Sequence, residues 1–357
     1  MKQILILLRY GCFILAGSIA ALCVSAKAGL AGSHDRHAAF KIVKVVSLGA
    51  PNRWDYLHYD PTSGRLYIAH QDRVTVVDGQ SGQIVGAITG ISGGAHGIVI
   101  SHATDQGFTD DGKAGEAIVF DLKTLKITKR IKAKPDADGI IYDPVSRHIF
   151  VIDGRSGALT VIDPLTDEAV ATVVVGTSLE FGVSGHNGKL YINGLERHEI
   201  VRVDVKTNKV DAHWPMPTCR QPLGMAIDRA HHRLFSACYN RRMIVMNTDN
   251  GAIVAKLTIG TGPDAARFDP KRQLVLSSNG MGTLSVIHED GPDKYTVLPS
   301  IKTQKGARTM ALDVKTGRVF LVAANVKINP TVPPQDYRHR FLIVPNSLKL
   351  FMLDSNE

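Results

Sequence analysis

Short apolar runs rich in Val, Ile and Phe, broken by Gly, Asp, Ser and Asn, recur from residue 40 to the end of the chain. No segment keeps a 3.6-residue apolar period long enough for a helix, so the pattern predicts strands. Two phrases recur in step. One is an apolar strand closing on a turn residue, as in WDYLHYD at Asp60, HGIVIS at Ser101, DGIIYD at Asp143, EFGVSG at Gly185, LGMAID at Asp228, DAARFD at Asp269 and RTMALD at Asp313, with spacings of 41, 42, 42, 43, 41 and 44 residues. The other closes at Asp78, Asp121, Asp163, Asp204, Asn247, His288 and Asp354, with spacings of 43, 42, 41, 43, 41 and 66. Two independent phrases sharing a period near 42 identify a structural repeat.

Each unit carries a strand between the two phrases (RLYIAH, RHIFVID, KLYING, RLFSAC, RVFLVA) and a fourth after them (IVGAIT, ITKRIK, AVATVVV, IVAKLTI). Four short strands per repeat, repeated seven times, predict an all-β, seven-bladed β-propeller with four antiparallel strands per blade. The seventh unit lacks its fourth strand, and FKIVKVVSLG at Phe40–Gly49 stands ahead of the first. That segment is expected to pair with Leu350–Asp354 and close the ring, leaving no open edge.

The repeat motif also carries a family resemblance. Tyr67-Ile-Ala-His, Phe150-Val-Ile-Asp, Tyr191-Ile-Asn-Gly and Phe235-Ser-Ala-Cys stand where the YVTN tetrad would, and residues 40–357 resemble the YncE-like branch of the YVTN-repeat, WD40-like propellers. The literal tetrad is absent. The resemblance implies an exported, monomeric propeller, with some members binding single-stranded DNA. It implies no single reaction, since one fold serves many functions.

Ahead of the repeats, Lys2 and Arg9 precede the apolar run Tyr10–Val24, and Ala26-Lys27-Ala28 offers a small-x-small cleavage pattern. Residues 1–28 therefore read as a signal peptide and 29–39 as a flexible tail, which predicts a periplasmic or secreted protein. The formal charge of +9 falls to about +6 once Lys2, Arg9 and Lys27 are removed, and the acids and bases are mixed along the chain. Such a balance defines no nucleic-acid strip. Only Cys219 and Cys238 follow the cleavage site, one entering blade five's first strand and the other ending its second, and in an exported chain they are expected to form a disulfide.

Candidate chemistry gathers on one face. Five residues before each first-strand anchor stand Asp55, His96, Asp138, Glu180, Leu223, Asp264 and Arg308, with Trp54 beside the first of them. Six polar positions in seven blades predict a charged ring at the channel mouth. Such a ring can take a ligand or partner, whether a small molecule or a protein. It can hold a divalent cation, although Arg308 opposes a simple metal cage, or run acid/base chemistry as a lyase or hydrolase. A water-filled channel whose acids cap strands would show the same pattern. The seventh blade places 41 residues between anchors that are 18 to 20 apart elsewhere, and the insertion, residues 325–347, is expected to lie over the same face. His231 and His232 fall in a turn on the opposite face and read as solvated. No P-loop, G-x-S-x-G, C-x-x-C-H or zinc spacing occurs.

Overall fold

The computed structural model describes residues 40–333 and 341–355. The expected leader and tail lie outside the described residues, as does the centre of the 325–347 insertion. Within the described residues the chain forms seven four-stranded antiparallel blades, with a fifth short strand added to blade six and a separate two-stranded ribbon. The innermost strands are Leu57–Asp60, Ile98–Ser101, Ala137–Tyr142, Leu179–Ser184, Pro222–Asp228, Pro263–Asp269 and Met310–Asp313.

The recurring acids are what turn the chain. Asp60 accepts hydrogen bonds from the Thr62 and Ser63 amides at 3.0 and 3.2 Å, and Asp143 accepts the Ser146 amide at 2.7 Å. Asp121 and Asp204 do the same for Thr124 and Thr207 between the third and fourth strands. A short carboxylate that satisfies the next amides fixes a tight turn at each strand end, so the repeat visible in the sequence is a turn-capping repeat.

Second strands are buried almost throughout, and each blade except the sixth carries an aromatic there, at Tyr67, Phe108, Phe150, Tyr191, Phe235 and Phe320. These rings fill the spaces between sheets. Tyr67 meets Phe120 at 6.1 Å, and Tyr191 stacks on Trp214 at 5.9 Å. Outer strands bury few residues, as expected where one face meets water.

The ring closes through the N-terminal strand. Phe40–Gly49 runs antiparallel to Leu348–Ser355, from Phe40 opposite Ser355 to Gly49 opposite Leu348, and forms the outer strand of the seventh blade. Blade six departs from the regular plan. Its third strand is extended to Thr283–Gly291, and its outer partner is split into Lys294–Val297 and Ile301–Lys302. Pro299 falls in the gap and has no amide to give the ladder.

Candidate functional site

All seven ring positions lie at the same end of the innermost strands, within two residues of their first residues. Trp54 and Asp55 arrive on the segment before Leu57, where the Asp55 amide donates to the Ala69 carbonyl at 2.9 Å. Charge pairs then divide the ring. Arg308 forms an ion pair with Asp264, lies 3.9 Å from Asp55 and donates to the Trp54 carbonyl at 3.2 Å. Across the mouth, His96 Nδ1 lies 2.8 Å from Asp110 Oδ1 and its Nε2 lies 3.7 Å from Asp138. Leu223 is buried and supplies an apolar wall.

Asp110 is a residue that reading the ring from the sequence missed. It is fully buried, and besides the imidazole it takes the His96 and Gly97 amides at 2.9 and 2.7 Å. It occupies a second-strand position held by Ala69, Ile152, Ala237 and Val322 in other blades. Blades four and six place Asn193 and Ser278 there, so a charge in an otherwise uncharged register was the available signal.

Electrostatics follow from crowding and burial. Removal from water drives Asp55 up to about 6, against the pull of Arg308. Burial likewise lifts Asp138 to about 7 despite the neighbouring His96. Glu180 is raised well above the usual carboxylate range by burial, with Asp138, Asp264 and Asp55 adding to the effect. Burial alone would lower His96, but the hydrogen-bonded Asp110 carboxylate, with Asp55 and Asp138, overrides it and holds the imidazolium to about pH 10. His96 is thus a cation at neutral pH.

Two cavities open at the mouth. One of about 390 Å³ is bounded by Trp54, Glu180, Leu223, Asp264, Arg308 and the ribbon residues Phe341 and Ile343. The other, about 450 Å³, shares Trp54, Arg308 and Ile343 and adds Arg53, Asp55, His96 and Lys113. The ribbon joins Val326–Ile328 to Phe341–Ile343, so the two described arms of the seventh-blade insertion pair with each other above the ring. Trp54 is largely buried between the cavities, and its indole nitrogen has no hydrogen-bond partner among the described residues. Beneath the mouth, Tyr56 meets Phe181 at 4.7 Å, and the Arg267 guanidinium lies over the Phe181 ring at 5.3 Å. These three line a separate cavity of about 380 Å³ along the channel.

Cys219 and Cys238 are disulfide-bonded and fully buried, with Cα atoms 5.4 Å apart, beside the Leu223 wall. The one trio of His, Cys, Asp or Glu ligand atoms lying within 4.8 Å of one another among the described residues is elsewhere, at Asp228, His231 and Glu289. His231 is not a solvated turn residue. Its side chain is 35% exposed and packs against the buried carboxylates of Asp228 and Glu289, because the elongated third strand of blade six reaches under the blade-five turn.

No protein-family model and no curated protein matches the sequence. Solved structures do match the fold. A chain of the mitotic checkpoint complex superposes with a TM-score of 0.73 at 14% identity, covering 98% of this chain and 99% of that one. The RRP9 WD40 repeats give 0.72 at 9% identity, covering 89% and 98%. Hydrazine synthase from Kuenenia stuttgartiensis gives 0.66 at 14%, covering 77% and 95%. At these identities the likeness shows a WD40-like β-propeller and nothing finer.

Proposed function

We propose that this propeller is an exported binding protein of the YncE-like kind, and that it takes a small zwitterionic ligand at the channel mouth. The observation that carries this is the segregation of charge on either side of Trp54. On one side stand Glu180 and Asp264, the latter paired with Arg308, with the apolar surface of Leu223, Phe341 and Ile343; on the other Arg53, His96 and Lys113 outnumber Asp55. A ligand with an amine, an apolar body and a carboxylate satisfies both sides at once, and its amine restores the ionised form of Glu180. Pockets of a few hundred Å³ with an apolar wall and a few convergent charges suit such molecules. Export rests on the pattern of residues 1–28 and is part of the proposal.

The test is a thermal-shift and calorimetric screen of amino acids and short peptides with free termini against their N-acetylated and C-amidated counterparts, with oligo-dT as the nucleic-acid probe. Free termini are expected to bind and either block to weaken binding at least about tenfold, near 1.4 kcal/mol. Equal binding of blocked and free forms, or binding of oligo-dT alone, would overturn the reading.

A second reading rests on the Asp110–His96–Asp138 row. Asp110 orients His96, which is charged and can give a proton, while Asp138 near neutrality can take one. That arrangement fits a lyase or hydrolase. His96→Ala separates the two: a binding protein changes affinity only, whereas an enzyme loses turnover by about two to four orders of magnitude.

A further inference from the structure

We propose that Asp228, His231 and Glu289 form a divalent metal site of the zinc type that clips blade five to blade six on the face opposite the mouth. The repeat itself shows how unusual the cluster is. Three residues after the first-strand anchor, blades one, three and seven place Ser63, Ser146 and Thr316, whose hydroxyls donate to the anchoring Asp at 2.5, 2.9 and 2.6 Å. Blade six places Arg272 there, paired with Asp269 at 2.9 Å, and blade five places His231. One residue after the third-strand anchor, other blades carry Gly79, Leu122, Pro164, Val205, Thr248 and Ser355; blade six carries Glu289, 2% exposed. Two independent departures, one from each blade, converge on a single point.

The atoms that meet there have no other work. Asp228 Oδ2, His231 Nδ1 and Glu289 Oε2 are buried and meet only one another among the described residues. His231 Nδ1 lies 2.6 Å from Asp228 Oδ2 and 3.5 Å from Glu289 Oε2, and all three ligand atoms fall within 4.8 Å of one another. Tetrahedral bonds of about 2.0–2.2 Å put ligand atoms a little over 3 Å apart, so the His231–Glu289 separation already fits and the Asp228 contact needs only to open slightly. The remaining oxygens are held in place: Asp228 Oδ1 accepts the Ala230 amide at 3.0 Å, and Glu289 Oε1 takes the Tyr295 hydroxyl at 3.4 Å. One imidazole with two carboxylates suits zinc and its first-row neighbours better than calcium or magnesium, which favour all-oxygen shells. Water completes the fourth position. The Arg233–Asp293 ion pair, at 2.6 Å, ties the same two blades alongside.

The experiment is calorimetric titration of chelator-treated full chain with Zn²⁺, with melting followed in parallel, for wild type, His231→Ala and Glu289→Val. The valine is the residue that blade four carries at this position, so that variant is expected to fold. Wild type should bind one equivalent at micromolar Kd or tighter and melt higher with metal. Both variants should bind at least about thirtyfold more weakly and lose the metal-dependent rise in Tm. Absence of saturable binding in wild type overturns the proposal. So does binding that survives in both variants, which would place the ion elsewhere.

Discussion

Asp55, Asp138 and Glu180 are carboxyl groups held where each prefers to keep its proton. In the native protein Asp55 and Asp138 retain theirs up to about 6 and 7, whereas the unfolded chain releases them near 3.8. The native state therefore binds more protons across that window, and folding stability falls as pH rises from about 4 to about 7. His96 acts in the same direction at higher pH. Its contribution is complete below the ordinary histidine value of 6.5 and is lost as pH climbs toward about 10. Buried His58, lowered to about 4, works the other way up to 6.5, so melting curves of the ligand-free protein are expected to show Tm declining most clearly from pH 6.5 to pH 9. Glu180→Gln, which removes a buried carboxyl raised well above the usual range, should raise Tm at pH 7.5 and reduce that decline. A Tm that rises from pH 6.5 to pH 9 would show His96 and the acids to be solvated instead. A ligand amine that ionises Glu180 would release protons on binding, which makes the acidic lobe costly when empty and stable when filled.

At the scale of single elements, the turn chemistry was legible and the exceptions to it were not. Asp60, Asp143 and Asp313 announce themselves because each ends an apolar strand and is followed within three residues by a hydroxyl. Asp110 and Glu289 were harder to see, since each is a lone acid in a register that only an aligned set of blades reveals as otherwise uncharged. The ring positions could be read because the innermost strand enters near the axis in every blade. Which of them pair could not, because Arg308 reaching Asp264 rather than Asp138 depends on side-chain direction across the channel. The disulfide followed from two strands of one hairpin. It closes a separation of 19 residues beneath the Leu223 wall, and replacing both cysteines by serine should cost about 3 kcal/mol in denaturant melts, within the chain-entropy account. An unchanged midpoint would mean that the buried core of blades four and five carries that wall unaided.

For the molecule as a whole, the seven-blade count and the ring closure were both contained in the 42-residue period and the missing fourth strand of the last unit. Closure has a mechanical consequence. A chain beginning at Ala50 would leave Leu348–Ser355 as an exposed edge, so it should unfold at lower temperature and with a broader transition than the full chain. Coincident melts would show the ring to be stable while open. The two faces then divide the labour. One carries the charged mouth under the seventh-blade ribbon, and the other carries the Asp228, His231 and Glu289 cluster between blades five and six.

The central claim, that a ligand sits at the mouth with its charges on either side of Trp54, is tested most directly by one titration. A dipeptide with free termini is titrated into wild type, Glu180→Gln, Lys113→Ala and His186→Ala, the last lying on the channel cavity away from the mouth. Glu180→Gln and Lys113→Ala are each expected to weaken binding about tenfold or more while His186→Ala matches wild type. Loss of binding in His186→Ala with the two mouth variants unaffected would contradict it.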